Sequence, residues 1–353
     1  MLSNLSSNAI LSKARALYGK RLTKNNYKDL LSCQTVNEVA VYLKSRTVYG
    51  KILSDTNESQ VHRGQLEAKL KQRLFEDYAL LCRYEISVGE HFSQYLIIRS
   101  EIEQILHSIL LINAGSPEEY IFSLPMYLVK HSNINLTALS HVKNFDELLK
   151  ILEHTRYYKV LEQFKPISDE PINYTGIENA LYTYLYGTVF EAIHKYTRDG
   201  TSKQLQEIFN TDIDLINFDR IMRLKLSYNS NADFIRSCLL PFGNMNKKIL
   251  SELIDSNSIN EMNSILKSTT IGKRYLTEDY AYPDEISSHA KYKICKHFIH
   301  FSTHPSVVMF SYTFIMEAEI RDIITIIEGK RYGLPSEEIK KLLIIYNLSE
   351  RSD

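Results

Sequence analysis

Tryptophan is absent from this 353-residue chain, and only 12 glycines and 8 prolines interrupt it. With so few breakers, long helices are permitted throughout. Neither charge is in excess: Lys+Arg and Asp+Glu are both 42, a formal net charge of zero. That balance gives no overall basic field for nucleic acid and little electrostatic pull toward anionic lipid. The four cysteines, Cys33, Cys82, Cys238 and Cys295, are scattered without a CxxC pair, which fits a reducing compartment and thiols used as small core residues. No apolar run approaches the roughly 18 residues of a membrane span; Ile109-Leu110-Leu111-Ile112 is a typical maximum. At the N-terminus the charges follow the apolar part, the reverse of a signal peptide. These absences predict an intracellular protein with no span of its own.

Catalytic signatures are missing too. A phosphate-cradling loop needs Gly-x-x-x-x-Gly-Lys followed by Ser or Thr, so that backbone amides hold phosphate and the hydroxyl holds magnesium. Gly-Lys occurs at 19–20, 50–51, 272–273 and 329–330, followed each time by Arg or Ile. Nor do the dinucleotide-binding, zincin, nucleophile-elbow or EF-hand spacings occur. No catalytic residue and no cofactor is expected.

What is present is a helical pattern, and it repeats. Hydrophobic residues make up 44% and charged residues 24%, the balance of a folded protein, and the length favours two or three units. The segments Leu30–Ser45, Leu139–His154 and Leu253–Ser268 align without gaps. They share the first leucine, an apolar residue (Val36, Phe145, Ile259), a glutamate (Glu38, Glu147, Glu261), a second apolar residue (Val39, Leu148, Met262) and a later leucine (Leu43, Leu152, Leu266). Thr35, Asn144 and Ser258 stand three residues before the glutamate. That is a capping box, in which the first side chain caps the N3 amide and the glutamate reaches back to the N-cap amide. Another element recurs more weakly, as Ile102, Ile105 and Leu106, then Phe218, Ile221 and Met222, then Ile320, Ile323 and Ile324; any amphipathic helix gives that spacing. The repeat divides the chain into 1–116, 117–230 and 231–353.

The remaining sequence also has helical periodicity: 65–113, with Gly89 as a bend or end, then 177–196, 202–226, 285–301 and 307–328. The segment around Leu128 is open to helix or strand. Polar loops are expected at 113–119, 165–174, 227–233 and 277–285.

Cys295, His297, His300 and His304 form the most suggestive cluster, because imidazole and thiolate are zinc ligands. His297, His300 and His304 share a helix face, whereas Cys295 points elsewhere and His304 precedes Pro305. The expectation is a polar helix face and no metal. Lys20, Arg21, Lys24 and Lys28 read either as a docking patch for an acidic partner or as a solvated edge, and Asn246-Lys247-Lys248 likewise.

Residues 13–53 resemble the opening of the C subunits of V/A-type (V-type) rotary ATPases, whose eukaryotic counterparts are the d subunits. The matching positions are Arg15, Leu30-Leu31, Glu38, Leu43-Lys44 and Thr47-Val48-Tyr49. FDRIMRLKLSYN (218–229) and MEAEIRDIITIIEGKRYGLP (316–335) look like that family's later repeats, while ILHSILLINAG (105–115) lacks the basic residue usual after the apolar pair. The resemblance implies an all-α funnel of three similar domains about a pseudo-threefold axis. It would be a non-catalytic central-stalk component at the cytoplasmic face of the membrane, with the proteolipid rotor ring and the central shaft as partners. The alternative from the residues alone is a helical-repeat interaction scaffold unrelated to ion pumping.

Overall fold

Helix starts and stops follow from local side-chain chemistry. The computed structural model describes residues 2–58, 61–84, 91–166, 171–276 and 283–350, and among these every regular element is helical. The longest apolar helix, Pro305–Arg331 (27 residues), opens with Pro305, whose missing N–H is no loss in a first turn. It closes at Gly333, held at φ 66°, with the Leu334 amide donating to Gly329 O at 2.9 Å. A left-handed residue here lets the chain turn back and satisfy a terminal carbonyl. Helix Gln94–Asn113 ends the same way, through Gly115 at φ 72° and the Ser116 amide on Leu111 O at 3.0 Å. After helix Asp199–Leu226, Asn229 takes the left-handed position at φ 48°.

The chain forms two compact units. Unit 1 comprises 1–91, 197–212 and 258–353; unit 2 comprises 92–196 and 213–257. In unit 1, Pro305–Arg331 is the central helix, packed by Leu2–Tyr18, Arg63–Cys82 and Pro283–Phe301. Every residue from Pro305 to Met316 is buried, and such an all-round apolar stretch belongs in a core. Two of its hydroxyls are satisfied by the helix itself, Ser311 Oγ donating to Val307 O at 2.7 Å and Thr313 Oγ1 to Met309 O at 2.9 Å, while Tyr312 Oη donates to Asp77 Oδ2 at 2.7 Å. Phe209, Phe310 and Phe314 fill the space beside it, Phe209 and Phe310 meeting edge to face with centroids 4.9 Å apart. In unit 2, Gln94–Asn113 packs on Tyr174–Tyr196.

The expected pattern over 65–113 is two helices, Arg63–Cys82 and Gln94–Asn113, and Gly89 lies outside the described residues. Around Leu128 the backbone is a run of turns with Leu128 buried, not a strand. The other expected helices appear as Tyr174–Tyr196, Asp199–Leu226, Pro283–Phe301 and Pro305–Arg331.

Thr35, Asn144 and Ser258 occupy the N-caps of Val36–Arg46, Phe145–Leu152 and Ile259–Ser268. Each side chain accepts the N3 amide, at 3.1 Å from Glu38 N, 3.0 Å from Glu147 N and 3.2 Å from Glu261 N. In the first two copies the glutamate reaches one residue further back than in a standard box. Glu38 Oε2 accepts from Gln34 N and Glu147 Oε2 from Lys143 N, both at 2.8 Å, so the amide before the cap is the one satisfied. Val39, Leu148 and Met262 are buried as their spacing requires, but Ile259 is not. Thr35→Ala or Ser258→Ala is expected to cost about 1 kcal/mol from one orphaned helix amide, measured as a shift in urea midpoint at constant m-value. An unmoved midpoint in both variants would remove the caps from the account.

Candidate docking surfaces

The three aligned apolar triads lie on three long helices, and the residue just before each triad is a buried polar anchor. Glu101, Asn217 and Glu319 are all but inaccessible to solvent. Glu319 Oε2 accepts from Leu22 N at 2.9 Å and Oε1 from Tyr49 Oη at 2.8 Å. Glu101 Oε1 accepts from Ser132 Oγ at 3.0 Å and from the Asn133 amide, while Oε2 accepts from Tyr157 Oη at 2.5 Å. Asn217 Oδ1 accepts from Leu240 N at 2.8 Å, and its Nδ2 donates to Leu240 O at 3.1 Å. Each anchor thus fixes a backbone segment that leads into a capped helix, at Thr23, Asn135 and Asn246. Tyr49 and Tyr157 both belong to a Thr-x-Tyr run; the third copy, Thr269-Thr270-Ile271, has no hydroxyl there. Sequence reasoning did not single out the anchors. The signal was one polar residue before each triad.

Burial drives Glu319, Asp322 and Asp214 toward the neutral form. Desolvation raises Glu319, against the pull of Arg21, Tyr49 and the Leu22 amide. Asp322, one turn on, accepts the amides of Ile344 (2.7 Å) and Ile345 (2.8 Å), yet burial pushes it up to about 7. Asp214 accepts the Asn244 and Met245 amides, each at 3.0 Å, and burial lifts it to about 6. Nothing in these networks is exposed enough to meet a substrate. They position the ends of the helices.

Those ends carry the exposed apolar residues. At and beyond the end of Gln94–Asn113, Leu110, Ile121, Phe122 and Met126 face solvent, Phe122 at 88%. Around the end of Asp199–Leu226 it is Leu226, Tyr228 and Phe234, and beyond Pro305–Arg331 it is Tyr332, Leu334 and Leu342. These ten make up most of the 13 large apolar side chains exposed among the described residues. Within each unit, large apolar side chains left exposed at a helix end mark a candidate interaction surface.

The opposite end of Pro305–Arg331 has a different chemistry. There Arg15 closes the C-terminus of Pro283–Phe301, Nε donating to Ile299 O at 2.8 Å and Nη2 to Ser302 O at 2.6 Å. Tyr18 Oη lies 3.2 Å from His300 Nε2, and Arg21 stacks 3.7 Å above the Tyr18 ring while donating to Tyr292 Oη at 3.3 Å. Of the four residues with metal-ligand chemistry, Cys295 is buried, with burial raising its thiol. His297 and His300 are exposed against the Phe301 ring, at 5.1 and 6.3 Å between centroids. His304 precedes Pro305 and bonds Thr201 Oγ1 at 2.9 Å. The four do not converge on one point. Arg21 is locked in place, whereas Lys20 and Lys28 are exposed; Asn246 caps its helix and Lys247 and Lys248 face solvent.

Comparison with known proteins bears on what these surfaces serve. A sequence model for the family described as "ATP synthase (C/AC39) subunit" matches residues 10–342. The C subunit of the A-type ATP synthase from Methanosarcina mazei is 25% identical over 357 residues, covering 95% of this chain and 92% of that protein. Its counterpart from Methanosphaera stadtmanae is 24% identical over 348 residues, 94% and 86%. The one from Archaeoglobus fulgidus is 23% identical over 354 residues, 95% of each.

Proposed function

Because the chain belongs to the ATP synthase (C/AC39) subunit family, we propose that it is a non-catalytic central-stalk component of a V/A-type ion-translocating ATPase or synthase, linking the central shaft to the membrane rotor ring. In this reading the three repeats, 1–116, 117–230 and 231–353, are arranged about a pseudo-threefold axis, and the protein is peripheral at the cytoplasmic face. A coupling protein of this kind must grip two partners of different character without performing chemistry. The observation that carries the reading lies within unit 1. One 27-residue helix bears an apolar rim at one end and a basic, aromatic surface at the other, about 40 Å apart at 1.5 Å per residue. No helix among the described residues is long and apolar enough to cross a membrane, in keeping with a partner that supplies the span. Torque through such a body needs stiffness, and the buried anchors provide it.

Membranes prepared without this protein are expected to retain nucleotide hydrolysis by the soluble head while losing the ion transport coupled to it. Parallel assays of hydrolysis and ion uptake, with purified chain added back, measure this. Ion transport that stays fully coupled in its absence would leave the scaffold reading as the better one.

A further inference from the structure

A chain of zero net charge carries two long segments free of acids. Residues 1–28 contain six Lys or Arg and no Asp or Glu; residues 286–316 contain three Lys, four His and again no acid. The fold packs these two segments together, helix Leu2–Tyr18 lying against Pro305–Arg331 and Arg15 bound to the carbonyls of Ile299 and Ser302. The acids that other segments bring to them include Asp212, taken up by Lys291 at 2.8 Å, Asp77, which accepts from Tyr312 Oη at 2.7 Å, and Glu319, which accepts from Leu22 N at 2.9 Å. At the exposed edge Phe301 is 73% accessible, between His297 and His300.

We propose that the surface formed by Lys20, Lys296, His297, His300 and Phe301 docks a carboxylate-rich segment of a partner protein. The proposal rests on the stalk reading above and names the chemistry of one of its two partners. Charge complementarity selects the occupant: a sequestered excess of positive charge on a neutral molecule steers and orients an acidic partner. An anionic membrane surface fits less well, because interfacial anchoring needs an amphipathic face with several apolar side chains, and among the described residues of this edge Phe301 alone is a large exposed apolar side chain. The guanidiniums behind the edge are fixed, Arg15 on carbonyls and Arg21 on Tyr18 and Tyr292, so the positive field is held in one direction.

Docking has a proton attached to it. Partial burial, with Lys296 on its own helix and Arg21 and Arg15 facing it, holds His300 below the ordinary imidazole range, and Tyr18 Oη abuts its ring. An incoming carboxylate reverses that electrostatic balance, so the complex takes up a proton and affinity rises as pH falls.

The test uses the full chain and a fluorescein-labelled, glutamate-rich peptide followed by anisotropy. Binding is expected to weaken as salt rises from about 50 to about 200 mM. It should fall about tenfold in the K20E/K296E double variant and stay unchanged in K248E, on a different helix. Thermal midpoints of the variants establish that they are folded. Wild type should bind more tightly at about pH 6 than at about pH 7.5, and His300→Gln should lose most of that difference. Equal binding by wild type and the double variant overturns the proposal. So does retention on phosphatidylglycerol vesicles without peptide binding, which would assign the surface to the membrane. The stalk reading is scored separately by the coupling assay: peptide binding with unneeded coupling sinks that reading alone, and the converse sinks this one.

Discussion

Glu319→Ala is expected to lower unfolding free energy by about 3 to 5 kcal/mol, the largest single-residue effect predicted for this chain. The carboxylate sits in the core of unit 1 and is the acceptor for Leu22 N and Tyr49 Oη. Alanine leaves a buried amide and a buried hydroxyl without that acceptor, and opens a cavity as well. Two further variants separate these contributions. Tyr49→Phe removes one hydroxyl and should cost about 1 kcal/mol. Glu319→Gln keeps the shape, can accept from Leu22 N, and dispenses with a charge that burial already opposes, so its cost should be close to that of Tyr49→Phe. Urea titrations give all three values. An alanine variant no weaker than the glutamine variant would show that neither the hydrogen bonds nor the volume of the Glu319 side chain contributes to stability.

Stability is expected to rise as the solution is made mildly acidic. Asp322 is lifted to about 7 and Asp214 to about 6, in both cases chiefly by burial, and Glu319 moves in the same direction. A folded-state pKa above the unfolded value means that folding takes up a proton. The stabilisation is complete below the ordinary carboxylate range and is lost as pH climbs through about 6 to 7. Each proton contributes a slope of at most about 1.4 kcal/mol per pH unit, so over the two pH units that Asp322 spans and the one that Asp214 spans the chain should be about 4 kcal/mol more stable near pH 5 than near pH 8. The lowered His300 acts in the opposite sense, but it is exposed and therefore a minor contributor. Asp322→Asn can accept only one of the two amides now on the carboxylate, so it loses stability near pH 5; its pH profile should nonetheless be flatter. A wild-type profile that is level or rising between these pH values would place the acids as stabilised anions, with the amide hydrogen bonds outweighing burial.

Local chemistry was readable in the sequence, and long-range chemistry was not. Thr35, Asn144 and Ser258 could be found because a cap and the amide that it satisfies lie three residues apart. The family resemblance likewise rested on the order and spacing of short runs. Glu101, Asn217 and Glu319 looked like polar residues bordering an apolar stripe. Their partners stand far off along the chain, 297 residues away for Glu319 and Leu22, and no periodicity records a contact at that separation. Phe122, Tyr228 and Tyr332 posed the reverse difficulty. Large apolar residues in one sequence read as core, and only the fold shows them left outside at helix ends. Ile259 is a smaller case of the same kind. It aligns with buried Phe145, yet it sits on the open side of its first turn.

The discontinuous composition of unit 1 has a consequence for biosynthesis. Its first 91 residues have as their core partner a helix that begins at Pro305. During translation the N-terminal helices therefore emerge long before the surface that buries Ala14, Leu30 and Tyr49 exists. Unit 2, complete once residue 257 is clear of the ribosome, can fold in that interval. At about 5–20 residues per second, the roughly 200 residues between the two parts impose a wait of about ten seconds or more. Apolar N-terminal surface left uncovered for so long makes the nascent chain a client for chaperones, and a truncation before Pro305 would leave that client without a way to finish.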